Sequence, residues 1–410
     1  MNEAAPRAVE QDHPLSAGLD FYKLTMGQLA LERLPEASVT FTLKNRNSYE
    51  SPLSEYVSVD KLNDRLRAIQ ANSFTDEEIA AIAGFKAQDG SARFEEAYLT
   101  HLANLSLSDV LVSTDQASQD LAIETTGPWA TVSLWETVVM SEVNELYYET
   151  LLAQRGTDIN GVWAEGDKRL SEKIAQIQGT GIQFIDFGTR RRFSAAWQEH
   201  AVQRLAAELP DNFVGTSNPW FAYKYNLPPI GTYAHEMPMV YAAVADKNGI
   251  NPLAGHTEMM QDWSDRYGND LSIALTDTFT SEFFFSDFTQ EQAEEWRGLR
   301  HDSGDPITFG ERAITFYEER GIDPAEKTLV FSDGLSIDAI FRLQAHFQGR
   351  VKILFGWGTG LMNDMGLPAN NFVMKATAVD GVPTVKLSDA AGKHTGPKEQ
   401  TERYAALAHA

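Results

Sequence analysis

The fold of this chain is decided by three neighbouring stretches, IQFIDFGTRRRF (182–193), NFVGTSN (212–218) and PIGTYAHE (229–236). Each begins with a short apolar run and continues into glycine and polar residues. Between the first two, residues 194–209 are amphipathic, and Ser194 stands where an N-cap is expected. Strand, polar loop and helix in this order are typical of a parallel α/β sheet. In an α/β barrel, the loops after the strands meet on one rim and build the active site.

Residues 151–390 are predicted to form an irregular TIM-like α/β barrel. Five further strand candidates follow the three stretches above, at 271–276, 298–300, 328–331, 351–355 and 372–376. The clearest helices between them span 305–320 and 336–348. The Asp380-Gly381 pair predicts a hairpin turn after the last candidate.

Residues 1–150 are predicted to form an N-terminal α/β domain. Strands are expected at 39–43 and 120–124, a helix at 18–33, and a long apolar helix at 135–152 that leads into the barrel. The basic run 44–47 is interpreted as a solvated loop. Residues 391–410 are interpreted as a polar, alanine-rich C-terminal tail without a function.

Composition limits both the compartment and the ligands. The 410 residues include no cysteine, which excludes disulfides, thiolate metal sites and a cysteine nucleophile, and favours a cytoplasmic protein. No apolar run approaches the roughly 18 to 20 residues of a membrane helix, so no membrane association is expected. The net charge of −24 argues against nucleic-acid binding. Since this charge also repels anions at long range, an anionic ligand would need local arginines, helix N-termini and a divalent cation at its site.

Polar residues recur where the later strands end. Asp277 follows one strand, Asp302 lies within RHDSGD (300–305), and Asp333 follows another strand. The carboxylates of Asp302 and Asp333 suit ribose hydroxyls or a magnesium ion bound through water. In GWGTG (356–360), the glycines let backbone N–H groups approach a phosphate, and a threonine adds a hydroxyl at the start of a helix.

Each of these features has an ordinary structural alternative. Asp-Gly pairs usually form turns, a Gly-x-Gly-x-Gly run is often only a tight connection, and consecutive arginines often begin a solvated helix. A single histidine such as His235 is more often structural than reactive. The recurrence of polar residues at the same end of successive strands favours function and, with the arginines at 190–192, indicates a phosphorylated ligand.

The chain resembles the bacterial nicotinate phosphoribosyltransferases, which belong to the type II phosphoribosyltransferase family, over nearly its whole length. Seven blocks carry the resemblance in the same order: DFYKLTM (20–26), FIDFGTRRRFS (184–194), GTSN (215–218), GTYAH (231–235), LRHDSGD (299–305), FSDGL (331–335) and FGWGTG (355–360). The resemblance implies an irregular α/β barrel packed against an N-terminal α/β domain. It also implies a ligase-type reaction that joins nicotinate to phosphoribosyl pyrophosphate, requires Mg²⁺ and is coupled to ATP hydrolysis. The product, nicotinate mononucleotide, enters NAD biosynthesis.

The resemblance also implies roles for single residues. Tyr22 and Phe187 are expected to stack on the pyridine ring of nicotinate, while Thr232 and Arg300 hold the rest of that substrate. The fork of the Arg300 guanidinium suits a carboxylate. Related nicotinamide enzymes carry an aspartate where this chain has Ser217, and because serine can donate to a carboxylate, nicotinate is favoured over nicotinamide.

Phosphate groups are expected to bind a second set of residues. The sugar 5-phosphate is expected at Thr359 between Gly358 and Gly360, and the pyrophosphate at Mg²⁺ and Arg190. Three aspartates are candidates for ribose or metal contacts, although the metal ligands stay unassigned: Asp277, Asp302 and Asp333. His235 matches the histidine that ATP phosphorylates.

Three alternatives remain open at this point. The chain could act on quinolinate or nicotinamide instead, or bind a phosphosugar without catalysis. A monomer and a homodimer are both compatible with the sequence, because a neighbouring subunit supplies the N-terminal tyrosine in some related enzymes.

Overall fold

The computed structural model describes residues 13–46, 52–390 and 393–409. Asn47, the end of the basic run predicted as a loop, lies outside the described residues. Helices α1 to α9 span Phe21–Arg33, Val59–Gln70, Asp76–Gly84, Glu96–Ala103, Trp129–Val132, Trp135–Arg155, Ile159–Ile177, Ala195–Glu208 and Pro219–Lys224. Helices α10 to α17 span Glu236–Lys247, Pro252–Tyr267, Ser281–Asp287, Gln290–Glu295, Pro306–Glu319, Ile337–Phe347, Thr359–Met362 and Lys398–Ala408.

The strands form two separate sheets. Strands β1 to β6 span Ser38–Asn45, Val110–Thr114, Leu121–Pro128, Phe184–Asp186, Phe213–Thr216 and Ile273–Leu275. Strands β7 to β11 span Gly298–His301, Thr328–Phe331, Lys352–Trp357, Phe372–Val379 and Val382–Pro383. Within the described residues, the first sheet has five strands in the order β11-β10-β1-β3-β2, and the second has six in the order β5-β4-β9-β8-β7-β6.

The second sheet is parallel throughout, which confirms the parallel sheet predicted from the order of strands, polar loops and helices in the sequence. Its edge strands are β5 and β6, and the segment 229–233 contacts both. Pro229 forms a bridge with Thr216 of β5, and Thr232 Oγ1 donates to the carbonyl of Ile273 in β6 at 3.1 Å. Residues 229–230 of this segment were predicted as a strand, but they make only isolated contacts because the prolines at 228 and 229 have no N–H to donate.

The first sheet is antiparallel, and its central strand β1 is half-buried. Val39, Phe41 and Leu43 face the core, as the alternation of apolar and polar residues predicted. Strand β1 pairs with β3 on one side and with β10 on the other, from Val39 opposite Val379 to Asn45 opposite Phe372. Chain segments far apart in sequence therefore share one sheet.

The prediction that residues 372–376 form a barrel strand is wrong. They lie in β10, which pairs antiparallel with β1 in the first sheet. Buried and half-exposed residues alternate along β10, a pattern typical of an antiparallel sheet, whereas parallel strands covered on both faces are apolar throughout. The predicted hairpin turn is confirmed, because Asp380 and Gly381 have φ angles of 48° and 82° between β10 and β11.

The C-terminal segment is an ordered element rather than a simple polar tail. Helix α17 buries Tyr404, whose ring centroid lies 5.9 Å from that of Phe279. Val385 and Leu387 belong to the same apolar cluster. Helix α17 therefore packs against the segment 385–387. No helix in the described part of the chain has the length and apolar character needed to cross a membrane.

Candidate active site

The polar residues that follow the parallel strands meet at one edge of the second sheet, as predicted. Parallel strands present their carboxyl ends at the same edge, where ligands bind in α/β proteins. His235 contacts Thr278 after β6 and Asp302 after β7, and Asp302 contacts Ser332 after β8. Residues from four chain segments therefore form one cluster.

His235 is held at three points. Its Nδ1 lies 3.0 Å from Thr278 Oγ1, and its Nε2 lies 2.9 Å from Asp302 Oδ2 and 2.8 Å from Lys386 Nζ. Burial and the neighbouring ammonium of Lys386 lower the pKa of His235, so the ring is neutral at neutral pH. With its proton on Nδ1, the ring donates to Thr278 and directs the Nε2 lone pair toward Lys386. The side chain is 17% exposed, which leaves part of the ring accessible to a ligand.

Asp277 is a buried carboxylate beside this histidine. Its Oδ2 accepts from Ser303 Oγ at 2.5 Å and from Lys386 Nζ at 3.1 Å. Its Oδ1 has no hydrogen-bond partner among the described residues and lies 3.6 Å from His235 Nε2. Burial alone would raise the pKa of Asp277, but the adjacent His235 ring and the Lys386 ammonium lower it, so the carboxylate is ionised.

Asp302 is more accessible than Asp277, since 30% of its side chain is exposed. Its Oδ1 accepts from Ser332 Oγ at 3.1 Å. Burial alone would raise the pKa of Asp302, but the close contact with His235 and the charge of Arg300 hold it well below its usual range. This carboxylate is ionised and can accept from ribose hydroxyls or bind a cation.

Lys386 is the main site residue that the sequence analysis missed. It lies between Val385 and Leu387, which pack into the apolar cluster closed by helix α17. The alternation of a lysine with buried apolar residues indicates a half-buried strand-like segment, but nothing local shows that its buried side faces His235. Lys386 reaches His235 because the strands just before it, β10 and β11, pair within the first sheet.

Two further cations face this region from the first sheet. Burial is the main cause that lowers the pKa of Lys375 to about 7, and the charges of Lys386 and Arg46 add to it. Arg46 follows β1 and interacts electrostatically with Asp302 and Asp333. The interpretation of residues 44–47 as a solvated loop is wrong for Lys44 and Asn45, which lie in β1, whereas Arg46 is an exposed turn residue whose charge acts on the carboxylates of the second sheet.

Tyr22 and Arg190 lie side by side. The guanidinium carbon of Arg190 lies 5.9 Å from the centroid of the Tyr22 ring. Arg190 Nη1 donates to Glu136 Oε1 at 3.1 Å, and its Nε lies 3.6 Å from Asp20 Oδ2. The hydroxyl of Tyr22 is buried and has no partner among the described residues. This corner combines an aromatic face with an anchored cation.

Arg300 offers unused donor capacity. Its Nη1 donates to the carbonyl of Tyr233 at 3.3 Å, whereas its buried Nε has no partner in the described part of the chain. Unsatisfied buried donors are costly, so a carboxylate that accepted from this group would be stabilised. The hydroxyl of Thr232 already donates to Ile273, so it can offer a ligand only its lone pairs in this conformation.

Ser217 differs from its expected arrangement. Its hydroxyl donates to Asp20 Oδ1 at 2.6 Å, and the residue is buried. Because a serine has a single hydroxyl proton, Ser217 does not donate to a substrate carboxylate while this bond is present. Its predicted contact with nicotinate stays a prediction that requires the bond to Asp20 to break.

The glycine-rich connection after β9 lies against the connection after β4. A Cβ at Gly356 would lie 2.5 Å from the Phe187 ring, and a Cβ at Gly358 would lie 3.1 Å from the Phe187 carbonyl. A Cβ at Gly360 would lie 2.7 Å from the Leu335 carbonyl. The three glycines thus permit close packing, which is the structural alternative considered for this motif. Thr359 begins the four-residue helix α16.

Asp333 lies farther from the cluster. Its Oδ2 accepts from Lys393 Nζ at 2.8 Å, and both side chains are partly exposed. No direct contact between Asp333 and His235 is present among the described residues. Its predicted role in binding ribose or metal therefore rests on its place after β8 and on its electrostatic interaction with Arg46.

Glu236 follows His235 in the chain but does not orient it. Helix α10 begins at Glu236, with His235 at its N-cap. The Glu236 side chain points to Lys23 and Trp129. Thr278 and Asp302 orient the histidine instead.

Comparison with known proteins gives one consistent family. The sequence model of the nicotinate phosphoribosyltransferase (NAPRTase) family matches residues 182–407, and that of the NAPRTase N-terminal domain matches residues 19–144. A nicotinate phosphoribosyltransferase of Chromobacterium violaceum is 37% identical over 91% of both chains. One of Herminiimonas arsenicoxydans is 39% identical over 91% of this chain and 92% of its own. The crystal structure of the Porphyromonas gingivalis nicotinate phosphoribosyltransferase superposes with a TM-score of 0.86 at 30% identity, covering 96% of this chain and 99% of that one.

Proposed function

Because the chain belongs to the nicotinate phosphoribosyltransferase family, we propose that it joins nicotinate to phosphoribosyl pyrophosphate, giving nicotinate mononucleotide and pyrophosphate for NAD biosynthesis. The observation that carries this proposal is the pairing of an unsatisfied Arg300 donor with a neutral, oriented histidine in one cation-rich cluster. This combination suits a substrate carboxylate and phosphate groups together. The contacts of segment 229–233 with both edge strands of the second sheet support the interpretation of that sheet as an irregular TIM-like barrel, which this segment closes.

Nicotinate binds between Tyr22 and Phe187, with its carboxylate at Arg300. The buried Nε of Arg300 supplies the charged donor, and a bidentate contact fits the guanidinium geometry. Thr232 lies beside this position and closes it against β6. The ring nitrogen of nicotinate is itself the nucleophile, so the site needs no strong base for this step.

Phosphoribosyl pyrophosphate lies across the cation-rich side of the cluster. Displacement at the anomeric carbon develops positive charge on the ribose and negative charge on the departing pyrophosphate, so alignment and electrostatic stabilisation are the main requirements. Arg190, fixed by Glu136, faces the pyrophosphate, while Asp302 contacts the ribose hydroxyls. Thr359 and the N–H groups near Gly358 and Gly360 bind the 5-phosphate.

The residues of the site fit Mg²⁺ at Asp302 alone rather than at His235, Asp277 and Asp302 together. His235, Asp277 and Asp302 offer ligand atoms within 4.8 Å of one another. However, the Lys386 ammonium contacts both His235 and Asp277, and it would repel a divalent ion among them. Asp302 is partly exposed, and Mg²⁺ commonly binds one carboxylate together with substrate phosphates and water. When bound, the ion would neutralise charge on the pyrophosphate.

ATP phosphorylates His235 in the proposed cycle. The lone pair of Nε2 attacks the terminal phosphorus, the bond to the bridging oxygen breaks, and ADP leaves with that oxygen. Thr278 holds the proton on Nδ1, and the Lys386 ammonium stabilises the transferred phosphoryl group. Hydrolysis of the phosphohistidine then returns the imidazole and releases inorganic phosphate, which couples ATP consumption to product formation.

Two measurements test this function. Product analysis with nicotinate, nicotinamide and quinolinate, each with and without ATP, is expected to give nicotinate mononucleotide as the main product and more of it with ATP. Incubation with γ-labelled ATP is expected to give an acid-labile, base-stable label. His235→Ala should lose the label and the gain from ATP but keep slow ATP-independent synthesis. His200→Ala is the matched control, because His200 is partly exposed and pairs with Asp167 away from the cluster.

The outcomes separate the alternatives. Main use of quinolinate or nicotinamide would assign the chain a different substrate. Binding of phosphoribosyl pyrophosphate without turnover of any pyridine would make it a phosphosugar-binding protein. Equal labelling of His235→Ala would place the phosphoryl group on another residue.

A further inference from the structure

Lys23 is a fully buried cation in helix α1, directly after Tyr22. Its Nζ lies 2.6 Å from Glu136 Oε2, donates to Glu236 Oε2 through a short bond, and lies 3.2 Å from Ser133 Oγ. All three donor positions of the ammonium are thus directed at oxygen atoms. None of the substrate contacts described above uses this residue.

Both carboxylates that bind Lys23 also bind other groups through their second oxygen. Glu136 Oε1 accepts from Arg190 Nη1 at 3.1 Å, and Glu236 Oε1 accepts from Trp129 Nε1 at 2.6 Å. The network therefore joins α1, α6 and α10 to the short turn that carries Arg190. We call Lys23, Glu136, Glu236 and Arg190 the buried ion network.

The buried ion network is adjacent to two parts of the proposed reaction. Glu236 is the residue after His235, the proposed phosphoryl acceptor, and it is the first residue of α10. Glu136 fixes Arg190, which faces the proposed pyrophosphate position. Lys23 is the ion that both carboxylates share. A displacement of Lys23 would therefore reach His235 through one glutamate and Arg190 through the other.

The charges of this network balance. Two cations, Lys23 and Arg190, face two carboxylates, Glu136 and Glu236. Burying charged groups costs several kcal/mol for each ion, and apolar residues of similar volume are often as stable as a buried ion pair. Stability alone therefore gives little reason for a lysine here. Charged, directional bonds do fix the relative positions of three helices more narrowly than apolar contacts.

We propose that Lys23 is a positioning residue that holds His235 and Arg190 in one geometry, so that the phosphoryl-accepting and pyrophosphate-binding parts of the site are correctly spaced. The proposal rests on the proposed function, because the role given to Lys23 requires that His235 is phosphorylated. It predicts that loss of Lys23 changes two properties together. These are the rate at which His235 is phosphorylated and the KM for phosphoribosyl pyrophosphate.

The test needs a variant that keeps the charge balance. Lys23→Met alone would leave Glu236 buried without a cation, and such a variant often fails to fold. Lys23→Met combined with Glu236→Gln removes one cation and one anion, and each new side chain has a volume similar to the one it replaces. Glu136 stays paired with Arg190. The matched control is Arg93→Met with Asp270→Asn, a nearly buried ion pair at 2.7 Å that does not contact the buried ion network in the described residues.

The network double variant is expected to label His235 about ten- to a hundred-fold more slowly with γ-labelled ATP, since small displacements of reacting groups have effects of this size. Its KM for phosphoribosyl pyrophosphate should rise about ten-fold by the same reasoning. A purely structural role would lower the amount of active enzyme without changing either KM or the labelling rate per folded molecule. The control pair should show that second pattern.

Each outcome decides one point. Unchanged labelling and unchanged KM in a folded network variant would overturn the role of Lys23 and leave the proposed function intact. Absence of label on the unmodified enzyme would overturn the proposed phosphorylation itself. If the double variant does not fold, Glu136→Gln and Glu236→Gln are measured singly. The first should then raise mainly the KM for phosphoribosyl pyrophosphate, and the second should slow mainly the labelling. Equal effects of both would overturn the proposal.

Discussion

At the scale of single residues, we expect Arg300 to decide which pyridine is bound. Its buried Nε has no partner among the described residues, so a substrate carboxylate gains a charged bond that an amide does not. Arg300→Ala is expected to raise the KM for nicotinate strongly, since loss of a desolvated charged contact costs about 2 to 5 kcal/mol. Arg300→Lys should recover only part of this effect, because a lysine lacks the bidentate fork. Steady-state kinetics with nicotinate and nicotinamide would measure both variants, and equal use of the two substrates by the unmodified enzyme would contradict this role.

We expect Lys375 to give the site a pH dependence near neutrality. Burial, together with the charges of Lys386 and Arg46, lowers its pKa to about 7. As pH rises through about 7 the ammonium loses its proton, so one positive charge near the proposed phosphate positions is lost and the KM for phosphoribosyl pyrophosphate should rise. Lys375→Met should have a higher KM below pH 7 and a flatter pH profile. The control Lys352→Met changes an exposed lysine on β9 and should keep the original profile.

The same pKa predicts the sign of a stability effect. A lysine whose folded-state pKa lies below its unfolded value, about 10.4, binds fewer protons in the folded protein between these two pH values. The free energy of unfolding contributed by Lys375 should therefore increase from about pH 7 to about pH 10. Urea unfolding of the unmodified protein and of Lys375→Met across this range would show the difference. A contribution that decreases with pH would contradict the lowered pKa.

At the scale of elements, the connection after β9 joins the two proposed substrate positions. Thr359→Val removes only a hydroxyl, so it should raise the KM for phosphoribosyl pyrophosphate by about ten-fold, the effect of one hydrogen bond to a charged group, and leave nicotinate unaffected. Gly358→Val should be worse for the phosphosugar and should also impair nicotinate, because its Cβ would lie 3.1 Å from the Phe187 carbonyl. Gly356→Ala is the complementary control: its Cβ would meet the Phe187 ring, so it should impair nicotinate first. Unchanged substrate binding in all three variants would make this connection only a tight turn.

At the scale of the whole molecule, the two predicted domains share one sheet. Strand β10, near the C-terminus, lies beside β1 in the first sheet, so neither half of the chain contains all the strands of that sheet. Residues 1–150 expressed alone should lack a cooperative unfolding transition, because an edge of β1 and its apolar face are left uncovered. Co-expression with residues 151–410 should restore a folded, active complex. A cooperative transition for residues 1–150 alone, measured by circular dichroism, would contradict this.

The sequence by itself determined the parallel sheet, most helices and the polar cluster at the strand ends. Those features follow from local periodicity and from the fact that parallel strands end on one edge, so Asp277, Asp302 and His235 could be grouped before any contact was known. The seven motif blocks also identified the family that the comparisons then showed.

Only the tertiary structure decided which residues from the first sheet complete the site. Lys386, Lys375 and Arg46 come from segments whose local patterns indicate solvated loops or half-exposed strands, and pairing of β10 with β1 turns them toward the second sheet. The bond from Ser217 to Asp20 and the contacts of Lys23 with Glu136 and Glu236 likewise join residues far apart in the chain. Periodicity reports which face of an element is buried, but it does not report what that face meets, because the partner is set by long-range packing.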